Sequence, residues 1–175
     1  MSAFKAAMVH ILDIEKGYSD RKADRGGPTN YGISTRAYSA FLGRPASPAD
    51  VRAMPASHAE KIYRMNYWDT LKLDLISEFP IQLVLFDQAV NRGPMAAVKT
   101  LQSVIGIHED GILGPITRAK ILAFRQDFVV YSFLMESIAA YVRIAQSDPS
   151  QNANLMGWLN RVRVLMDAFL LPEPY

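Results

Sequence analysis

The chain predicts a mainly α fold with one long glycine-rich loop or small hairpin after its first helix. Apolar residues recur at three- and four-residue spacing along most of the 175 residues, as side chains on helix faces do. Alternating apolar and polar runs of the strand type are scarce. Residues 18–33 interrupt the helical pattern with five glycines, prolines and asparagines and few apolar side chains. Half of the residues are hydrophobic and 21% are charged, so a sizeable core is expected and global disorder is not.

The first helix is expected over residues 3–16, with Phe4, Met8, Ile11 and Glu15 on one face at i, i+4, i+7 and i+11 and Gly17 placed to end it. In the loop that follows, Gly26-Gly27-Pro28 forces turns and permits close backbone approach. Ser34 can cap a helix over 35–42, and Ser47-Pro48 can start a short one, because proline is tolerated in a first helical turn. Ser57 with Glu60 forms a capping box that opens a helix reaching about Trp68, with Ile62, Met65 and, as a further candidate, Tyr63 turned inward.

Pro80 precedes IQLVLFDQAVNRG (81–93), whose start is ambiguous between strand and buried helix. Its length favours helix, and its apolar character on nearly all sides places it centrally. Pro94 begins another helix carrying Val98, Leu101, Gln102 and Ile105. Asp110-Gly111 makes a turn, and Gly114-Pro115 leads into a helix near 116–126. Two long amphipathic helices close the chain. Phe128, Tyr131, Met135, Ile138, Val142 and Ala145 form the stripe of the first; Leu155, Trp158, Leu159, Val162, Leu165, Met166 and Phe169 form that of the second. The best seam lies at residues 92–95, dividing 1–92 from 93–175 within one compact unit.

The net charge of +2, without a run of lysine or arginine, argues against nucleic acid as partner but suits an anionic polymer. Cysteine is absent, which excludes disulfides, thiolate metal sites and a cysteine nucleophile. His10, His58 and His108 are scattered without ligand spacing, so no metal site is expected. No phosphate-binding loop, dinucleotide fingerprint or Gly-x-Ser-x-Gly element is present, and no cofactor is expected. The N-terminal stretch lacks the features of a signal peptide, and no window holds the ~18 apolar residues that span a bilayer. The chain is therefore expected to be made in the cytoplasm, not inserted in a membrane, and monomeric.

Glu15 is the first candidate for chemistry. A carboxylate that continues a core-facing stripe is costly to bury unless it is paired or protonated, and near a helix C-terminus it meets the negative end of the macrodipole. Both effects suit a general acid at a glycosidic oxygen. An exposed or salt-bridged glutamate on a frayed last turn fits the periodicity as well. Asp24, nine residues on, offers a second carboxylate to hold a water or stabilise an oxocarbenium-like charge, or else an Asx turn; Asp20 is a weaker alternative. Thr29, Asn30 and Tyr31 combine hydroxyl and amide groups with an aromatic face, a useful mix for a sugar ring. Gln88 and Asn91 lie on the central helix, where they either face a cleft and bind N-acetyl groups or bond internally to backbone. Asp87 reads as structural, bracing Arg92 or another cation. Tyr63, Tyr67 and Trp68 read as core or cleft wall, Trp158 as packing and Arg161 as surface.

Glu15-Lys16-Gly17-Tyr18, Asp24, GGPTNYGIS (26–34), IYRMNYW (62–68) and FDQAVNRGP (86–94) together resemble glycoside hydrolase family 108, lysozyme-like N-acetylmuramidases found in many phages and prophages. LQSVIGIHEDGILGPITRA (101–119) resembles the companion peptidoglycan-binding segment of such proteins, although its Asp-Gly turn and Pro115 have a structural reason without any ligand. The resemblance covers roughly residues 5–165 and implies a lysozyme-like, two-lobed helical fold. It also implies hydrolysis of the β-1,4 bond between N-acetylmuramic acid and N-acetylglucosamine. The essential glutamate of the family's Glu-Gly-Gly-Tyr motif falls on Glu15 and its tyrosine on Tyr18, with Lys16 in place of the first glycine and expected to point to solvent. The family's usual Asn-Asp-Pro reads Asp20-Arg21-Lys22 here, which leaves Asp24 as the match for the next acid. The Glu-x8-Asp-x5-Thr spacing of phage-type lysozymes is met by Glu15 and Asp24, but its last position is Asn30, with Thr29 one residue earlier.

The resemblance thus implies a phage or prophage endolysin. Glu15, Asp24 and Thr29 are its catalytic candidates, and Tyr18, Asn30, Tyr31, Gln88 and Asn91 its substrate-binding ones. Its partner is the peptidoglycan glycan strand, reached in the periplasm through a holin-type pore. The rival readings are a secretion-associated muramidase, a lytic transglycosylase and a non-catalytic wall-binding protein.

Overall fold

Helix α1 (Ala3–Ile14) begins at Ser2, whose hydroxyl accepts the Lys5 amide, and it buries Phe4, Ala7, Met8 and Ile11. The expected stripe is thus realised, at about 1.5–3 kcal/mol for each large side chain removed from water. The helix ends one residue before Glu15, which occupies the C-cap and still donates its amide to the Ile11 carbonyl at 2.8 Å. Gly17 follows with φ +75°. The computed structural model describes residues 1–15, 17–20 and 27–170, with only the backbone of residue 170.

The loop region holds a small antiparallel sheet, β1 (Tyr18–Ser19), β2 (Thr29–Asn30) and β3 (Ile33–Ser34), in that order. Helix α2 (Thr35–Leu42) starts on the Ser34 cap as expected and ends at Gly43 in the left-handed region. Helix α3 (Pro48–Arg52) starts on a capping box formed by Ser47 and Asp50. Helix α4 (Ala56–Tyr63) departs from expectation. Its N-cap is Pro55 with no side-chain cap bond, so Ser57 and Glu60 do not form the box that their spacing suggests. Regular helix also stops at Tyr63. A π-helical turn over Arg64–Trp68 follows, closed by the Asp69 amide on the Arg64 carbonyl at 2.8 Å. The wider turn exposes Met65, expected to be inside, and buries Trp68 edge-on against Phe4, ring centroids 5.4 Å apart.

By its internal contacts the chain divides into two compact units, Met1–Asp69 and Thr70–Tyr175. Within the second unit, a 3-10 turn (Leu73–Leu75) leads to α5 (Phe79–Arg92), buried continuously from Ile81 to Ala89. The ambiguous IQLVLF start is helix. Gln82 donates its amide to the Leu73 and Ile76 carbonyls at 3.0 and 2.6 Å and so ties α5 to the preceding turn. Helix α6 (Pro94–Val104) and the residue after it bury Val98, Leu101, Gln102 and Ile105 as expected. Helix α7 (Pro115–Ile121) is shorter than expected because the chain tightens into i to i+3 bonds, from the Ala123 amide to Lys120 and from Phe124 to Ile121.

Helix α8 (Gln126–Ser147) packs with α5, α6 and α9 (Asn152–Leu170) through a face other than the expected one. Val129, Val130, Phe133, Leu134, Ser137 and Tyr141 are buried, while Phe128, Tyr131, Met135 and Val142 are exposed. The helix is apolar on nearly every side, so two stripes compete in the sequence, and periodicity cannot choose between them. By length and composition α8 would suffice to cross a bilayer, contrary to the sequence reading, but it packs as a core helix along its buried stripe. On α9, Val162 and Leu165 are inside as expected. Arg161 is also inside, not on the surface. Its guanidinium Nε lies 2.9 Å from both carboxylate oxygens of Asp87, and the two residues are 6% and 0% exposed.

Removing the cation from a buried carboxylate is among the most damaging single changes a core allows. Arg161→Met is expected to lower stability by about 3–5 kcal/mol, read as a fall in the urea midpoint. A midpoint equal to that of the parent chain would show that the pair does not hold the second unit together.

Candidate functional site

In the first unit, β2 and β3 are joined by the two-residue turn Tyr31-Gly32, with Asn30 opposite Ile33. Both turn residues have positive φ, +51° and +72°. This backbone matches the twist of a tight hairpin and favours Asn-Gly or Gly-Gly; a tyrosine at the first position is held under strain. The restraint on the turn is a 2.7 Å hydrogen bond from the Tyr63 hydroxyl to the Tyr31 carbonyl. Tyr63 is itself 2% exposed.

Glu15 meets this turn. A β-carbon built on Gly32 would lie 2.7 Å from a Glu15 carboxylate oxygen and 2.8 Å from the Tyr63 hydroxyl. The half-buried Glu15 side chain therefore occupies space that any residue but glycine would fill. Tyr67, carried on the π-helical turn, stands close to the same carboxylate. Burial raises the pKa of the Tyr67 hydroxyl, and the charge on Glu15 acts in the same direction. The site thus combines a helix-end carboxylate, a strained turn and two tyrosines from one aromatic pair, Tyr63 and Tyr67, with centroids 5.8 Å apart. Gly32 and the bracing role of Tyr63 escaped the sequence reading. The signal for the first was the Tyr-Gly pair between short polar and apolar strand residues; the second had none, since the contact spans 32 residues.

The other expected site residues separate into groups. Tyr18, Asn30 and Ile33 stand opposite one another across the sheet and so share a face. Asn30 is buried and donates its amide to the Val51 and Arg52 carbonyls at 3.0 and 3.1 Å. Its side-chain amide fastens the sheet to α3, whereas the sequence suggested a contact to sugar. Tyr18 lies under the Arg52 guanidinium, 4.2 Å from ring centroid to Cζ, and its hydroxyl donates to Asp20 at 3.2 Å. Thr29 alternates with Asn30 along β2 and projects from the opposite face, in register with Ser19 and Ser34. Asp24 and Lys16 lie outside the described residues.

Gln88 and Asn91 belong to the second unit, where they bond internally. The Tyr141 hydroxyl lies 3.0 Å from the Gln88 carbonyl oxygen and 2.8 Å from that of Asn91. Arg92 donates to Gln88 at 3.0 Å and to Thr100 at 2.9 Å, and the Tyr141 ring stacks on Trp158. Gln88 is 0% exposed and belongs to an internal network, the second of the two alternatives its sequence position offered. Among the described residues no cluster of three His, Asp or Glu side chains forms a metal site.

A carboxylate at the end of a first helix, set against a hairpin turn in a mainly α, lysozyme-like fold, is the arrangement of a glycoside hydrolase. Residues 8–93 match the family described as Glycosyl hydrolase 108, and residues 96–163 match a Predicted Peptidoglycan domain. A solved structure described as "Structure of Brucella abortus SagA" is 32% identical, with a TM-score of 0.82 over 94% of this chain and 92% of that one. No curated protein sequence matches. The chain belongs to the Glycosyl hydrolase 108 family, and it is a glycoside hydrolase acting on peptidoglycan.

Gly32→Ala places a methyl group on the Glu15 carboxylate and adds strain at positive φ. If the Glu15 carboxylate takes part in hydrolysis, activity on peptidoglycan is expected to fall on the order of 100-fold through its misplacement, with a stability loss of about 1–3 kcal/mol. Tyr63→Phe removes only the brace and is expected to cost about 1 kcal/mol. Thermal melts run beside turbidity assays on purified sacculi separate the two effects. A Gly32→Ala chain that hydrolyses at the parent rate would show that this close approach does not matter to the chemistry.

Proposed function

We propose that the chain is an N-acetylmuramidase that cleaves the β-1,4 bond between N-acetylmuramic acid and N-acetylglucosamine, with Glu15 as the general acid. The observation that carries the reading is the setting of Glu15. Its carboxylate is half-buried at the C-cap of α1, packed against the Gly32 backbone and beside Tyr67, while the turn itself is open to solvent. A group held this way can meet a glycosidic oxygen without reorganising. Asp24 is assigned the second role, positioning a water or stabilising the oxocarbenium-like charge. Thr29, on the opposite face of the sheet from Asn30, is kept as a hydroxyl contact to substrate, and Tyr31 as an aromatic one. The biological role that fits best is a phage or prophage endolysin, made in the cytoplasm and reaching the wall through a membrane pore supplied by another protein.

Glu15→Gln is expected to remain folded and to lose roughly 10²–10⁴-fold in rate on purified peptidoglycan, since proton supply and charge both go. Asp24→Asn should lose less. Mass spectrometry of the digest identifies the reaction. Reducing N-acetylmuramic acid ends are expected; 1,6-anhydro ends would instead identify a lytic transglycosylase. Binding to sacculi without release of any muropeptide would identify a non-catalytic wall protein.

The role can be read separately. Expressed in the cytoplasm of a Gram-negative host, the chain should lyse cells only when a holin-type pore is co-expressed. Lysis that is independent of the pore would overturn the release route.

A further inference from the structure

The loop with the sequence DGILGPIT is built around one buried amide. Gln102, 1% exposed, donates to the Asp110 carboxylate at 2.6 Å and to the Ile112 carbonyl and Thr117 hydroxyl at 3.2 Å. Its own carbonyl oxygen accepts the Gly111 amide at 2.8 Å. The Asp110 carboxylate also accepts the Ile112 amide, and the bond from Gln102 is the first cause of its lowered pKa. Oδ1 of the acid and the hydroxyl of the threonine therefore organise the loop from within. What the clamped loop presents is the wall of a groove of about 580 Å³, completed by residues 70–72 and 94–95.

The lining of this groove is selective. It contains two cations, Lys72 and Arg118, and no described carboxylate or aromatic ring. Neither cation forms an ion pair with a described residue. Arg118 is half-buried, and its Nη1 donates to the Leu113 carbonyl, which fixes the guanidinium plane while leaving its other donors available. Lys72 sits at φ +51°, ψ +47°, a left-handed backbone that lysine rarely adopts, at the head of the 3-10 turn. Strain of this kind persists where the surroundings hold it, and it concentrates at binding sites. Met95 and Ile112 supply exposed apolar flanks, each 63% exposed.

We infer that this groove binds the carboxylate-bearing peptide stem of peptidoglycan, an assignment that rests on the chain being a peptidoglycan hydrolase. The chemistry separates the two parts of the polymer. In an intact strand the lactyl carboxyl of muramic acid is tied up in the amide to the peptide, so the glycan carries no free acid and the stem does. Sugars are held largely by aromatic faces, which the described lining lacks. Two unpaired cations between aliphatic flanks match a short anionic peptide. The clamp by Gln102 holds the loop in the geometry that binding needs and so reduces the ordering required when the stem docks.

The test uses the Glu15→Gln chain in sedimentation with intact sacculi and with glycan strands stripped of peptide by an amidase, their freed lactyl carboxyls then capped as methylamides so that the stripped strands carry no acid. Binding to intact sacculi should be about tenfold tighter than to stripped strands and should weaken as salt rises. Adding Lys72→Gly and Arg118→Gln should bring binding to intact sacculi down to the stripped-strand level and leave binding to stripped strands unchanged. Lys72→Gly alone relieves the backbone strain, so its melting temperature should equal or exceed that of the parent while binding falls, the opposite of what a purely structural lysine would give. Equal binding of the parent to both substrates, or intact-sacculus binding by the double variant equal to the parent's, overturns the inference. Failure of the underlying reading looks different: the wild-type chain would release no reducing ends from either substrate.

Discussion

The site depends on one absence, that of a β-carbon at residue 32. The Glu15 carboxylate and the Tyr63 hydroxyl converge on the space that a side chain would fill there, and the backbone at 31–32 takes two consecutive positive φ values. These are two demands on one residue, steric room and conformational freedom, and glycine alone meets both without strain. Everything that positions the acid then follows. The tight turn sets the register of β2 against β3, the Tyr63 brace ties the turn to α4, and the C-cap of α1 aims Glu15 at the turn.

Most of the helical framework was legible because a buried face repeats at the period of the helix. The α1 stripe, the Ser34 and Ser47 caps and the central placement of α5 all read correctly from spacing and capping residues. What failed did so for physical reasons. The helix before Trp68 looked regular because nothing in IYRMNYW marks a π turn, yet one extra residue per turn exchanges Met65 for Trp68 in the core. On α8, two apolar stripes were available, and the buried one is the stripe that brings Tyr141 to Gln88, a tertiary demand invisible to periodicity.

The polar residues show the same limit more sharply. Asn30, Gln88 and Gln102 are amides of one chemical type; the first two were open to either a ligand or the fold, and the third was placed on a helix face. All three are buried and all three bond within the protein: Asn30 to α3, Gln88 to Tyr141 and Arg92, Gln102 to its own loop. A buried amide without partners costs about 1–3 kcal/mol, so the default fate of such a residue in a helical core is an internal bond. Asp87 and Arg161 carry the argument to charges. Asp87 was expected to pair with a cation, but the partner is 74 residues away in sequence, and only packing could select it over Arg92.

The one-residue offset between Asn30 and the threonine position of phage-type lysozymes has a structural meaning. Side chains alternate across a strand, so a shift of one residue exchanges faces. Asn30 therefore faces α3 while Thr29 projects from the opposite face of β2. The same sheet bounds the segment that carries Asp24, which lies outside the described residues. The segment carrying Asp24 leaves the sheet at Ser19 and returns at Thr29, two residues paired with each other, and the Pro28 carbonyl accepts both the amide and the hydroxyl of Thr35 at 3.2 and 3.0 Å. A sheet of six residues thus holds the turn that meets Glu15 and both ends of the segment that carries Asp24.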